Sequence, residues 1–228
     1  MTTSGTTTYN LVASEIMKEA FDLCGIGSEG ESISADMYER AFRSLNLICK
    51  ALGTKPHLWL ETPVTVTLVA GQASYVLADK PLKIRDVRRK ITSGGVETPL
   101  MEWARSQYEE QPNKTTQAVP TAYFFDPQRD TATVYLWPTP SSAVASAMTL
   151  ELIERRRIED IVTAGDNVDF PQEWMLSLAF MLAEQLALKY GVTPDIRSEI
   201  MQRAQGYRAQ MDAFDQEEAS LFMQPAER

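Results

Sequence analysis

Residues 171–190 decide the fold, and they read Pro-Gln-Glu-Trp-Met-Leu-Ser-Leu-Ala-Phe-Met-Leu-Ala-Glu-Gln-Leu-Ala-Leu-Lys-Tyr. A proline at the start, an acid in the first turn and Gly191 after the end predict one helix over this range. From Trp174 to Leu188 apolar residues cover most of the helix circumference. Such a helix is buried on several sides, so other elements of the chain must cover it.

A second helix, predicted over 194–223, follows directly. Thr193-Pro194-Asp195 supplies an N-cap, a proline at the first position and an early acid. Apolar residues then recur at steps of four and three: Ile200, Ala204, Tyr207, Met211, Phe214 and Leu221. The first half of such a stripe is typical of a core seam. Past Met211 acidic residues surround the apolar ones, which suggests a tail that orders against a partner; the alternative is a solvated helix end.

The chain also begins with two amphipathic helices, predicted over 10–25 and 35–53. Ser34 is a plausible N-cap of the second, and Gly53 ends it. Neither the first helix pair nor the last can bury its apolar stripe alone. We therefore expect the two ends of the chain to pack together as a helical base.

Residues 60–158 carry strand-like alternation between these helix pairs. Val64 to Leu68 alternates strictly, and the turn at 70–72 predicts that residues 75–77 return antiparallel as a hairpin. Further hairpins are predicted around 93–95 and 126–130. The fold class is therefore α+β: a helical bundle base formed by the N- and C-terminal helices, with a β-hairpin-rich antiparallel insertion over 60–158. We expect one domain over residues 1–228.

A dense basic cluster lies within the insertion. Its five cations are Lys83, Arg85, Arg88, Arg89 and Lys90. One interpretation is a contact to DNA or to an acidic neighbour. The alternative is a charged strand edge that resists aggregation.

Composition limits the function classes. The chain has 228 residues and a formal net charge of −9, which argues against wrapping nucleic acid through phosphate contacts. The same negative charge is compatible with a channel through which DNA slides without binding, because like charges repel. No apolar run is long enough for a membrane span, and the polar start lacks a secretory signal. Cys24 and Cys49 lie on apolar helix faces, which favours buried thiols of a cytoplasmic product, although a disulfide between them stays open.

Motifs for catalysis, metals or cofactors are lacking, so we predict no enzyme, no cofactor and no metal site. His57 is the single histidine and lies in a connecting segment. Two carboxylate pairs could serve a peptidoglycan-cleaving, lysozyme-like hydrolase, which is the alternative function: Glu159 with Asp160, and Asp166 with Asp169. Acid pairs in polar loops are usually solvated. Three aromatic residues could stack on bases, although aromatics in hairpins are usually core or cross-strand pairs: Tyr123, Tyr135 and Trp137.

A series of modest motifs from about Ala13 to Gly191 resembles one known family. The motifs are Ile16-x-x-x-Ala20-x-x-x-Cys24-Gly25-Ile26, Ala41-x-x-x-Leu45-Asn46-x-x-x-Lys50, Val69-Ala70-Gly71-Gln72-Ala73-Ser74-Tyr75-Val76-Leu77, Val119-Pro120-Thr121-Ala122-Tyr123-Phe124, Val134-Tyr135-Leu136-Trp137-Pro138-Thr139-Pro140 and Pro171-x-x-Trp174. In this order they resemble the head-to-tail adaptor proteins of tailed bacteriophages, also called head-completion or packaged-DNA-stabilisation proteins.

The resemblance implies a structural virion protein in the neck between capsid portal and tail, assembled in the host cytoplasm. It implies a ring, usually twelve-fold, that forms through contacts between neighbouring adaptor subunits. This ring docks beneath the portal protein. Such a ring extends the DNA channel, helps to retain the packaged genome without sequence-specific binding, and attaches the next tail component, a nozzle, hub or tube. No membrane is involved.

The resemblance also implies that the C-terminal helix and tail contact the portal. We therefore predict a portal-binding arm over 207–228. Its predicted contact residues are Tyr207, Met211, Phe214, Leu221 and Phe222. Deletion of the residues after Gln210 is expected to abolish portal binding and leave the monomer folded.

Overall fold

The computed structural model describes residues 3–27 and 32–215. Its α-helices in these ranges are α1 (Ala13–Leu23), α2 (Ala35–Leu52), α3 (Arg105–Glu109), α4 (Ser142–Ala147), α5 (Met175–Lys189) and α6 (Pro194–Phe214). Its strands are β1 (Glu61–Thr67), β2 (Ser74–Val76), β3 (Lys83–Ile91), β4 (Glu97–Pro99), β5 (Met101–Glu102), β6 (Gln117–Ala118), β7 (Ala122–Pro127), β8 (Ala132–Trp137), β9 (Thr139–Pro140) and β10 (Met148–Arg155). This mixture confirms the α+β class.

The chain forms two compact units. Met1–Leu58 and Ile158–Arg228 make up the helical unit, and Trp59–Arg157 make up the β unit. The helical unit therefore joins the first and the last parts of the sequence.

The helix α5 lies at the centre of the helical unit, where α1, α2 and α6 all pack against it. Its buried residues lie around most of its circumference: Met175, Ser177, Leu178, Ala179, Phe180, Leu182, Ala183, Leu186 and Ala187. The helices α1 and α2 bury one face each, with Phe21 and Leu45 fully covered. Between α1 and α5 the Cys24 thiol donates to the carbonyl oxygen of Ala183 at 3.3 Å. The N- and C-terminal helices thus share one apolar core, which is the predicted helical base.

The predicted helix start at Ser34 is also present. The Ser34 hydroxyl accepts a hydrogen bond from the Met37 amide at 3.3 Å, which satisfies one of the amides left without a partner in the first turn of α2.

The β unit contains two four-stranded sheets with the strand orders β1-β10-β3-β4 and β2-β8-β7-β5, and a short parallel pair, β6 with β9. Inward-facing side chains from both large sheets form one core, which includes Val87, Leu152, Tyr75, Val134 and Leu136. The alternation that predicted the strands thus places the apolar residues on the inner faces.

The predicted hairpin of residues 64–68 with 75–77 is wrong. The strand β1 pairs with β10, from Glu61 opposite Arg155 to Thr67 opposite Thr149, whereas β2 pairs with β8 in the other sheet. The connection between β1 and β2 instead carries the chain from one sheet to the other, and Gly71 at its tip adopts a positive φ and donates its amide to Pro140. The other two predicted hairpins are present as β3–β4 and β7–β8.

Glu154 occupies a core position in β10, in line with Leu150 and Leu152, and is only 1% exposed. Burial raises the pKa of its carboxyl, and the charge and hydrogen bond of Asp79 raise it further. Because the folded state binds this proton more tightly than the unfolded state, stability falls as pH rises through the folded pKa of Glu154.

We therefore expect Glu154→Gln to raise the thermal unfolding midpoint at pH 7, because glutamine carries no charge to desolvate. The gain should shrink below the ordinary carboxyl pKa, where the wild-type side chain is itself protonated. Thermal unfolding at both pH values measures the difference. The matched control is Glu151→Gln on the outer face of the same strand, where the carboxylate accepts from Thr65 at 2.7 Å. A lower midpoint for Glu154→Gln at pH 7 would contradict this prediction.

Candidate functional site

The second half of α6 contains three of the five predicted portal-contact residues. Tyr207 packs on Phe180 of α5, with ring centroids 5.0 Å apart, and Met211 is buried. Phe214 differs, because 70% of it is exposed at the last position of the helix. Leu221 and Phe222 lie outside the described residues. Portal contact by these residues stays a prediction, and Phe214 is the one among the described three that presents a large apolar surface.

The last turn of α6 is bound to the segment that follows α2. Oδ2 of Asp215 lies 2.5 Å from Nδ1 of His57, and Oδ1 accepts a hydrogen bond from the Leu58 amide at 3.0 Å. The side chains of His57 and Asp215 are only 3% and 7% exposed. Both carboxylate oxygens of Asp215 therefore have partners within the helical unit.

Two further contacts complete this arrangement. Nε2 of His57 donates to the carbonyl oxygen of Leu52 at 3.1 Å, since a carbonyl can only accept. One turn before Asp215, Oδ2 of Asp212 lies 2.5 Å from Nζ of Lys55. We call these five residues the α6 anchor: Leu52, Lys55, His57, Asp212 and Asp215. The anchor binds the end of the last helix to the end of the first helix pair.

The sequence interpretation missed the anchor and placed His57 only in a connecting segment. One signal could have indicated it. Asp212 and Asp215 are one helical turn apart, so they lie on one side at the end of α6, past the point where its apolar stripe changes character.

Because of the α6 anchor, the position of a deletion decides whether it removes only the arm or also contacts that stabilise the helical unit. A deletion after Gln210 would remove Met211, Asp212 and Asp215, all of which contact the helical unit. A deletion after Asp215 keeps every one of these contacts.

The basic cluster lies on β3, where most of its cations have partners within the β unit. Arg85 lies 2.5 Å from Glu61, and Arg88 lies 2.5 Å from Asp86. Arg89 donates to the carbonyl oxygen of Pro120 at 2.7 Å, while Lys83 is exposed.

The last cation of the cluster, Lys90, lies 3.5 Å from Glu97 and 3.9 Å from Glu151. Carboxylates on β1, β3, β4 and β10 thus balance much of the charge, and a contact with DNA or a partner stays a prediction.

The strand-edge interpretation fits only part of β3. The strand pairs with β10 over its whole length, and with β4 at Arg88, Arg89 and Lys90. The residues from Lys83 to Asp86 have no ladder partner on the β4 side among the described strands.

The aromatic residues considered for base stacking are core or cross-strand residues. Tyr123 lies in the core of the β unit, where burial raises its pKa to about 12. Tyr135 packs beside Phe124, with ring centroids 5.7 Å apart, and Trp137 packs on Trp103 at 5.2 Å. The rings of Tyr135 and Trp137 thus each pack against another aromatic ring of the β unit.

The carboxylates considered for hydrolysis stabilise the loop before α5. Asp169 accepts from the Glu159 amide at 3.0 Å, and Asp160 lies 2.6 Å from Lys50. Asp166 accepts from the Thr163 hydroxyl at 2.6 Å and from two backbone amides of the same loop. These hydrogen bonds lower the pKa of Asp166, whereas a general acid requires a raised one.

Asp166 also predicts a pH effect. Because its folded pKa lies below its unfolded value, its contribution is present above the unfolded pKa and is lost as pH falls through the folded pKa. We expect Asp166→Asn to lower the thermal unfolding midpoint at pH 7, with a smaller difference in strong acid. Asp160→Asn is the control, because the Asp160 side chain is 74% exposed. Equal midpoints for Asp166→Asn and wild type at pH 7 would show that the hydrogen bonds contribute nothing.

The remaining chemistry of the described residues is limited. Cys24 and Cys49 are free and buried, and burial raises their pKa values to about 11 and about 12. Within residues 3–27 and 32–215, no group of three or more His, Cys, Asp or Glu side chains could hold a metal ion. In the same ranges no helix combines the length and apolar character that a bilayer span needs.

Two solved structures contain chains similar to this one. A chain from "Virion of native gene transfer agent (GTA) particle" is 12% identical, with a TM-score of 0.30 over 86% of this chain and 93% of that chain. A chain from "Neck of empty GTA particle computed with C6 symmetry" is also 12% identical, with a TM-score of 0.28 over 87% and 93%. Both TM-scores are low, so neither similarity establishes the fold or function of this chain.

Sequence comparison gives a clearer result. No curated protein matches the chain. A family model described as "SU10 adaptor protein" matches residues 28–228, which include α6 and the C-terminal residues for which no motif could be quoted. This match confirms the resemblance to adaptor proteins, and the chain belongs to the SU10 adaptor protein family.

Proposed function

We propose that this chain is a structural virion protein that links the capsid portal to the tail. It docks beneath the portal as a ring, which the resemblance to head-to-tail adaptors suggests is twelve-fold. The ring extends the DNA channel, helps to retain the genome, and provides the attachment site for the next tail component, a nozzle, hub or tube. Membership of an adaptor family supports this proposal.

The end of α6 is the observation that carries the portal-binding part. Asp215 is bound inside the helical unit, while its neighbour Phe214 is 70% exposed. An exposed aromatic residue on a rigid element is a suitable anchor for a partner, because little side-chain or backbone freedom is lost on binding. The residues from 216 onward contain Glu217, Glu218, Leu221 and Phe222, so the arm combines acidic and apolar groups.

Ring formation follows from symmetry and avidity. A head-to-tail contact between neighbouring copies gives a ring when its rotation closes, and each subunit bound to the portal raises the effective concentration of the next. Individually weak contacts can then give a stable assembly. In this proposal the subunits are made in the host cytoplasm and join the virion neck.

The electrostatics agree with a channel that does not bind DNA tightly. The net charge is −9, and carboxylates lie beside several cations of the basic cluster. Such a surface releases few counterions from duplex DNA and therefore binds its phosphates weakly. In this proposal packaged DNA passes without sequence-specific binding.

Analytical ultracentrifugation of the full-length chain with purified portal rings tests the proposal. The expected result is a complex of portal and several adaptor copies, with rings on the portal in electron micrographs. The control is the same chain without portal. No complex at tens of micromolar adaptor would contradict the proposed function.

A further inference from the structure

Asp215 occupies an unfavourable position for its own helix. It follows the last helical residue of α6, where the helix dipole places partial negative charge and an acidic side chain is destabilising. Its carboxylate is nevertheless nearly fully buried, and both oxygens have partners in the segment after α2. The stabilisation of this group therefore comes from His57 and Leu58, and not from α6.

Burial of Asp215 also determines the direction of Phe214. Side chains of neighbouring residues at a helix end point about 100° apart, so with Asp215 directed into the helical unit the side chain of Phe214 lies on a different side. The observed exposures agree, with 7% for the Asp215 side chain and 70% for Phe214. The Lys55–Asp212 pair fixes the preceding turn.

We propose that Asp215, through His57 and Leu58, is a positioning residue for the C-terminal arm. It fixes the position of the last turn of α6 and holds Phe214 outward before any partner is present. This inference rests on the proposed function, because it assigns the arm to portal binding. It adds that the last turn of α6, from which the arm continues, is ordered in the free subunit.

The effect on portal binding follows from the fraction of molecules in which the last turn of α6 is ordered. When a binding-competent state is only partly populated, the apparent Kd rises by the inverse of that population. A last turn that is ordered in about one molecule in ten would weaken portal binding about tenfold. The contact residues themselves would be unchanged.

The test uses the full-length chain with Asp215→Ala and Asp215→Asn. We expect Asp215→Ala to weaken portal binding about tenfold and to speed amide exchange in the last turn of α6 by at least that factor, with unchanged exchange in the middle of α5. Asp215→Asn should lie between, because its amide oxygen can still accept from the Leu58 amide. Glu199→Ala is the matched control, since it removes an exposed 2.7 Å pair with Arg203 on the same helix.

Two results overturn the inference. The first is wild-type portal affinity in Asp215→Ala together with faster exchange in the last turn of α6. The second applies if Asp215→Ala speeds exchange throughout α5, which shows a general loss of stability. His57→Gln is then the test variant, and wild-type portal affinity in His57→Gln overturns the inference. Failure of the proposed function looks different, because the full-length wild-type chain would then form no complex with portal rings at all.

Discussion

Removal of residues 216–228 is expected to abolish portal binding and to leave the thermal unfolding midpoint of the protein unchanged. The deletion takes away the acidic and apolar part of the arm. It keeps the burial of Met211 and the pairs that Asp212 and Asp215 form with Lys55 and His57. Ultracentrifugation with portal rings measures the first effect, and thermal unfolding measures the second.

A chain that ends at Gln210 is the informative comparison. It loses residues 216–228 and, in addition, the buried Met211 and the charged partners of Lys55 and His57, which are Asp212 and Asp215. Loss of a buried methionine side chain alone costs about 2–5 kcal/mol of unfolding free energy. The shorter chain should therefore be clearly less stable, whereas the chain ending at Asp215 should not. Rings on portals formed by the chain ending at Asp215 would refute the assignment of the arm.

Replacement of Trp174 by alanine is expected to lower the free energy of unfolding of the helical unit by about 3–5 kcal/mol. Trp174 is 1% exposed and precedes α5, the helix on which α1, α2 and α6 all pack. Its ring also lies 5.0 Å from His57 and 5.7 Å from Phe170. The cavity would therefore open beside the α6 anchor as well as in the core.

Urea unfolding followed by circular dichroism measures this change. Leu176→Ala is the matched control, because Leu176 lies two residues further on, in the first turn of α5, and is 46% exposed, so its loss should cost less than about 1 kcal/mol. A cost below about 1 kcal/mol for Trp174→Ala would mean that α5 is not the centre of the helical unit.

The helices could be predicted from sequence because their signals are local. The apolar circumference of residues 174–188 required covering helices, and the structure supplies α1, α2 and α6. Strand partners could not be predicted in the same way. Leu68 and Tyr75 suggested a hairpin, yet β1 pairs with β10, more than eighty residues further along the chain. Alternation defines which face of a strand is buried, but it does not define which strand lies beside it.

The candidate site shows the same limit. The apolar stripe of α6 was visible in the sequence, and so was its change of character past Met211. The contact between His57 and Asp215 joins residues that are 158 positions apart, so no local pattern reports it. The carboxylates beside the basic cluster were hidden for a related reason, because Glu61 and Glu151 lie on strands that only the fold brings to β3.

Electron cryo-microscopy of the full-length chain bound to purified portal rings tests most directly whether the joined ends of the chain form a base whose C-terminal arm binds a neighbouring ring. We predict one ring of adaptor subunits beneath the portal, with α1, α2, α5 and α6 packed as in the free chain and residues beyond Asp215 in contact with portal protein. The contradictory result is a ring in which those residues contact only their own subunit, or in which the first and last helices are separated.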